Sequence, residues 1–63
     1  MEVTSMIEET IYENYFASAY QKSRRAGLDN RAAVAASELA GEQAVEAYRA
    51  KLRLAAAERA AKP

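Results

Sequence analysis

The clearest pattern lies in the second half of the chain, where a mostly apolar seam recurs at alternating intervals of four and three residues. Such spacing is typical of one face of an α-helix. The seam consists of Val34, Glu38, Gly41, Val45, Tyr48, Leu52, Ala55 and Arg59. In the first half nothing interrupts a helix before Ala26. The sequence therefore predicts an all-α, antiparallel two-helix hairpin, with helices at about 5–26 and 30–60 and a corner at 27–29.

The corner has the residues that end one helix and begin the next. Gly27 is placed where a left-handed residue follows a helix, and Leu28 is placed for the hydrophobic contact of a Schellman motif. Asp29 is a favourable N-cap for the second helix, with Asn30 as the alternative one residue later. These residues predict a tight structural turn without a function of its own.

The first helix has a predicted start and a charge gradient. Ser5 and Glu8 have the spacing of a capping box, in which the two side chains satisfy free backbone N–H groups. Both helices are acidic early and basic late, which suits the helix dipole. An antiparallel arrangement then brings the acidic start of the first helix beside the basic later half of the second.

Large residues are predicted to meet small ones between the helices. Counting outward from Leu28 places Tyr15 opposite Gly41, which would explain a glycine in mid-helix, where it costs about 1 kcal/mol. Ala44 is the second small residue of this close packing. The same register pairs Tyr12 with Ala44, Phe16 with Ala40, Tyr20 with Ala36 and Ile11 with Val45.

The chain is too short to be stable comfortably as a lone hairpin. It has 63 residues and contains neither cysteine nor histidine, so disulfides and the commonest zinc sites are excluded. A second apolar patch around Leu39 and Leu54 lies well away from the seam, and one hairpin cannot cover both. We therefore expect a homodimer that forms a four-helix bundle.

An interface with this second copy or with a protein target is predicted from the surplus of large apolar and aromatic residues. Four of the five aromatic residues fall within nine positions of the first helix, and tyrosine is enriched at interface hot spots. The end of the second helix is predicted to extend about 15 Å beyond the first. The candidate interface residues are Ile11, Tyr12, Tyr15, Phe16, Tyr20, Val45, Tyr48, Leu52 and Leu54.

Catalytic, metal and cofactor chemistry is not expected. Serine and threonine have neither histidine nor cysteine to accompany them, and two glycines do not make a phosphate-binding loop. Carboxylates four residues apart, such as Glu38 and Glu42, are common on solvated helices and lack the Glu-x-x-His partner of metal bundles. We predict that the protein is not an enzyme and has no cofactor.

A basic cluster at the corner gives the alternative interpretation. With Tyr20 it could contact phosphate and stack a base; its members are Lys22, Arg24, Arg25 and Arg31. The predicted layout is similar to that of Rop, a small plasmid copy-control protein that is a dimer of helical hairpins and binds RNA. The formal net charge of zero argues against strong nucleic-acid binding.

These patterns favour a small regulatory protein, of a kind often encoded by bacteria or phages, that binds a protein target as an inhibitor, adaptor or anti-activator. A Rop-like nucleic-acid-binding dimer and a structural assembly subunit are the alternatives. No apolar run is long enough to span a membrane, and the acidic first residues are unlike a signal peptide. A cytoplasmic location is therefore expected.

Overall fold

Two helices packed against each other form the whole of the described structure. The structure, a computed structural model, describes the backbone of residues 3–61 and the side chains of residues 6–61. Helix α1 spans Val3–Arg25 and helix α2 spans Asn30–Ala61. They run antiparallel and contact each other along α1. The predicted all-α hairpin is confirmed.

A Schellman motif ends α1. Gly27 has a φ of 96°, in the left-handed region that glycine adopts without steric cost. Its N–H donates to the carbonyl of Arg24 at 3.1 Å, and the N–H of Leu28 donates to the carbonyl of Ser23 at 3.1 Å. These two bonds are the defining pair of the motif, and they satisfy carbonyl groups that the end of the helix leaves free.

Asp29 is the residue that caps α2. Its carboxylate accepts a hydrogen bond from the N–H of Ala32 at 2.8 Å, and its carbonyl accepts the first helical bond, from the N–H of Ala33 at 2.9 Å. Asn30 has a different role, because its side-chain oxygen accepts a hydrogen bond of 2.6 Å from the hydroxyl of Tyr20. This bond fastens the end of α1 to the start of α2.

The start of α1 differs from the prediction. The helix begins at Val3, so Ser5 is inside the first turn and is not the N-cap. The hydroxyl of Ser5 lies outside the described side chains. Both carboxylate oxygens of Glu8 accept hydrogen bonds from Arg49 of α2. The capping box was wrong because the second helix offers Glu8 a charged donor, which makes stronger hydrogen bonds than a neutral backbone N–H.

The contact surface of α2 is a row of small residues at intervals of four. Ala33, Ser37 and Gly41 are the buried residues of this helix, and the first two are fully inaccessible to solvent. The Ser37 hydroxyl donates to the carbonyl of Ala33 at 2.6 Å, so its burial leaves no unpaired polar atom. Small side chains in a row let α1 approach the backbone of α2 closely.

The contact at Gly41 differs from the predicted pairing. Tyr12, and not Tyr15, has its ring against Gly41. The predicted register assumed a reversal centred on Leu28. That register places Glu8 opposite Tyr48, within one position of its observed partner Arg49, so the difference at Gly41 is not a shift of the whole helix.

The molecule is an elongated single layer. The Cα atoms extend over 54 × 24 × 13 Å. The two described helices lie side by side, so they form one layer. Each helix therefore has only one helical neighbour within the chain.

Replacing Asp29 with Ala should lower the free energy of unfolding by about 1 kcal/mol, because the N–H of Ala32 loses its acceptor. Urea unfolding followed by circular dichroism at one protein concentration measures the change. Asp29→Ser, which keeps a capping oxygen, is the matched control and should stay close to the wild type. Equal losses in the two variants would contradict the capping role.

Candidate functional site

The closest approach of the helices is between the ring of Tyr12 and the backbone of Gly41. A β-carbon built on Gly41 would lie 2.7 Å from Cδ2 and 2.8 Å from Cε2 of Tyr12. No side chain fits there unless the ring moves. Phe16 lies beside Tyr12, with ring centroids 6.0 Å apart and planes inclined by 32°. Gly41 is therefore in close contact with Tyr12 of α1.

A cleft of about 240 Å³ opens on one side of this contact. Its wall on α1 is formed by two large side chains, and its floor on α2 by two small side chains and two large ones. The lining residues are Ile11, Tyr15, Ala44, Ala47, Tyr48 and Lys51. One of these six is charged, so the cleft is suited to apolar contact.

The opposite side of the hairpin combines aromatic rings with carboxylates. A shallow groove of about 350 Å³ is bounded by Tyr12, Glu13 and Phe16. Helical spacing places Glu9 on this side of α1 and Glu38 and Glu42 on this side of α2. The same spacing places Arg31, Arg49 and Arg53 on this side of α2, so this side carries charges of both signs, whereas the cleft is mostly apolar.

Several large apolar side chains remain accessible. Leu54 is the most exposed at 66%, followed by Met6 at 56% and by Tyr15 and Leu39 at 55%. The remaining members of this set are Ile7, Leu28 and Leu52. They lie at both ends and on both sides of the hairpin, so the hairpin itself does not provide a common core for them.

The predicted interface residues divide into two groups by exposure. Tyr15, Leu52 and Leu54 are exposed. Those that α1 and α2 partly cover are Ile11, Tyr12, Phe16, Tyr20, Val45 and Tyr48. The half-buried group lies along the junction of the helices, where contact with each other and with an outside surface are both possible.

Glu8 and Arg49 form an ion pair between the helices. The guanidinium donates through Nε at 2.9 Å and through Nη2 at 3.0 Å, one bond to each carboxylate oxygen. These hydrogen bonds hold the pKa of Glu8 below its usual value, against a partial desolvation that raises it, and the positive charge of Arg49 adds to the lowering. The same hydrogen bonds raise the pKa of Arg49. The pair fixes α1 against the later part of α2.

The basic cluster lies exposed at the corner end of the hairpin. Lys22, Arg24, Arg25 and Arg31 are all accessible to solvent. Tyr20, which was predicted to accompany them, is half-buried, and its hydroxyl donates to Asn30. The cations are therefore available to a partner, whereas the ring of Tyr20 is partly covered by the hairpin.

Metal binding and membrane insertion were also considered from the sequence. Within the described residues there is no group of three or more acidic, histidine or cysteine side chains that could hold a metal ion. Neither described helix has a stretch that is both long and apolar enough to cross a membrane.

Sequence reasoning missed one buried residue and one ion pair that position this surface. Ser37 is fully buried, although serine is mostly an exposed residue. The signal was its place midway between Ala33 and Gly41, at four residues from each. The pairing of Glu8 with Arg49 was implied only in outline, by the acidic and basic halves of the two helices.

Comparison of the chain with protein-family models, with curated proteins and with solved structures found no match.

Replacing Gly41 with Ala should destabilise the protein, because the new methyl group would overlap the ring of Tyr12. Overpacking of this kind costs about 1–3 kcal/mol, against a gain of about 1 kcal/mol in helix propensity. The background Tyr12→Ala removes the overlap, so the same substitution should there be stabilising by about 1 kcal/mol. Urea unfolding of the four proteins of this double-mutant cycle measures both effects.

The effect of Gly41→Ala on the free energy of unfolding should change sign between the wild-type and Tyr12→Ala backgrounds. If Gly41→Ala were equally stabilising with and without the ring of Tyr12, the close contact would not limit the packing of the helices.

Replacing Glu8 with Gln should destabilise the protein at neutral pH and progressively less in acid. The pKa of Glu8 is lower in the folded chain than its value of about 4.3 in an unfolded one. The stabilisation is therefore complete above the unfolded pKa and is lost as the pH falls through the folded pKa. Thermal unfolding between pH 7 and pH 2 measures the difference from the wild type. Glu9→Gln, at the exposed neighbouring position, is the control, and a matching pH dependence there would contradict the assignment.

Proposed function

We propose that the protein is a small regulatory module that acts by binding another protein, as an inhibitor, adaptor or anti-activator, and not by catalysis. One observation carries the proposal: the largest fully buried side chain in the described structure is that of Ser37. Large apolar side chains stay on the surface instead, as at Tyr15 and Leu54. Contact with other protein surfaces is the ordinary way in which such side chains leave water.

The first of these surfaces is proposed to be a second hairpin. A single chain of this length has little core, and it has no cysteine for a disulfide. Two hairpins packed together form a four-helix bundle in which apolar faces are shared. Dimerisation leaves the remaining accessible apolar residues for a target.

The target-binding element is proposed to be the later part of α2. Helix α2 has 32 residues and α1 has 23, so the end of α2 has less of α1 beside it. Leu52 and Leu54 are exposed there at 41% and 66%. Such side chains can enter an apolar groove of a target protein in helix-in-groove fashion. Lys51 and Arg53 beside them would select a target whose groove has an acidic rim.

Nucleic-acid binding is the second candidate, favoured by the exposure of four cations at one end of the hairpin. Lysine and arginine side chains at the surface bind phosphate groups, and such binding weakens steeply as salt rises. A dimer would present the basic cluster twice. This candidate predicts that Arg24→Ala combined with Arg25→Ala abolishes binding, whereas a protein target held by leucine side chains would be indifferent to those changes.

Affinity capture with the full chain as bait tests the proposal, using Leu54→Gln as the variant and Leu39→Gln as the matched control. Both leucines are exposed on α2, at 66% and 55%, so neither change should unfold the hairpin. We expect a protein that the wild type and Leu39→Gln retain and that Leu54→Gln loses. Binding should then be reproduced with the purified target by calorimetry, with an affinity at least tenfold weaker for Leu54→Gln.

Persistence of the complex at high salt distinguishes the two candidates, since phosphate binding would be lost there. Capture that is equal for all three baits would contradict a role for the end of α2. Recovery of nucleic acid alone, lost at high salt, would contradict the protein-binding proposal.

A further inference from the structure

One long side of the hairpin, which we name the cleft face, is proposed to be the surface on which two copies of this chain meet. The cleft face is defined by Ile7, Ile11 and Tyr15 on α1 and by Ala40, Ala44, Ala47 and Lys51 on α2. We infer that a second copy covers it, with α1 of each chain lying on α2 of the other. This inference rests on the proposed function, since it names the face and the pairing of the proposed dimer.

The accessible surface of the chain is larger than a compact monomer of its mass should have. Its accessible surface is 5122 Å². A folded monomer of 6.9 kDa is expected to expose about 4,000 Å². The surplus of about 1,100 Å² exceeds the roughly 800 Å² that each partner buries in a standard protein interface. Covering one long side of the hairpin would therefore bring the accessible surface per chain down to about that of a compact monomer.

The single-layer shape also favours covering one long side of the hairpin. A stable domain has two packed layers of secondary structure around one core. The two described helices side by side give this chain one layer. A second hairpin stacked on a long side supplies the other layer, whereas contact at an end of the molecule would not.

The second copy fits because the cleft face is self-complementary. Its α1 half carries a ridge of large side chains four residues apart, Ile7, Ile11 and Tyr15, of which the first and last are exposed. Its α2 half carries a row of alanines, Ala40, Ala44 and Ala47, beside the larger side chains of Tyr48 and Lys51. A two-fold axis parallel to the helices places the large side chains of α1 of each chain on the alanines of α2 of the other. This contact occurs twice, as an isologous interface requires. Large side chains would then meet small ones between chains, as they do within the hairpin.

Charge distinguishes the cleft face from the opposite side. Lys51 is the charged residue among those that line the cleft, and its long aliphatic stem can be buried while the ammonium group reaches solvent. The opposite side carries more charged side chains of both signs, and their burial against a like surface would cost their hydration; they include Glu9, Glu13, Glu38, Glu42, Arg31 and Arg49. The formal net charge of zero means that two copies do not repel each other at long range.

The proposed pairing puts both corners at the same end of the dimer. Charge does not choose between this orientation and its reverse. With the corners at the same end, the two basic corners would adjoin each other. With the corners at opposite ends, the basic later part of α2 would adjoin the partner's basic corner. The packing of large side chains of α1 on the alanines of α2 favours corners at the same end. The reverse orientation would stack α1 on α1 and alanines on alanines.

Substitution of one exposed alanine by arginine tests the face. Ala47→Arg places a charge in the cleft face, whereas Ala35→Arg places the same charge at an exposed position on the other side of α2. Light scattering across a concentration range should give twice the chain mass of 6.9 kDa for the wild type and for Ala35→Arg. For Ala47→Arg the dissociation constant should rise at least tenfold. Because Ala47 is exposed in the hairpin, loss of helix signal in that variant alone would also report a lost contact between chains.

Three results would overturn the inference. The first is a dimer that Ala47→Arg leaves unchanged, and the second is a dimer that both variants weaken equally. The third is a helical wild-type chain that stays at 6.9 kDa at every concentration. This third result would leave the capture test of Leu54 standing, so failure of the dimer and failure of target binding can be told apart.

A distance measurement tests the pairing. The chain contains no cysteine, so Leu28→Cys offers a single site for a spin label at the exposed corner. Since packed helices lie 8–10 Å apart, corners at the same end should give a distance between labels on the order of 20 Å. Corners at opposite ends would give a distance approaching the molecular length of 54 Å, which would overturn the proposed pairing.

Discussion

The contact between the ring of Tyr12 and the bare backbone of Gly41 sets the distance between the two helices. A β-carbon at position 41 would meet the ring at 2.7 Å, so glycine is what allows the helices to lie this close. Ala33 and Ser37 continue the same row toward the corner and are fully buried with it. The space between the helices is therefore filled by small groups and a ring edge. The larger apolar side chains are left at the margins, where they form the cleft.

Local features of the fold could be predicted from the sequence because a few adjacent residues determine them. Gly27 in the left-handed region and Asp29 with its carboxylate on the N–H of Ala32 produce the corner almost without help from the rest of the chain. The start of α1 could not be predicted in this way. Ser5 and Glu8 fit a capping box, but Glu8 bonds to Arg49, 41 positions away.

The apolar character of the contact surface could be predicted from the sequence, but the residues that meet there could not. Apolar surplus is a property of composition, and it indicated that side chains such as Leu54 would remain exposed. Which tyrosine meets Gly41 depends on the register and rotation of α1 against α2, which counting outward from the corner does not determine. Burial of Ser37 depends on that same register and on a local bond to the carbonyl of Ala33, neither of which hydrophobic patterning reports.

A hairpin with so little interior has a consequence for the abundance of the protein. If a second copy provides the missing layer, the folded fraction rises with concentration, because association stabilises only the folded state. Unpaired chains at low expression would spend more time open and would be removed faster by cellular proteases. The single-layer architecture would then act as a dosage threshold: small changes in synthesis near the dissociation constant would produce larger changes in the amount of active protein.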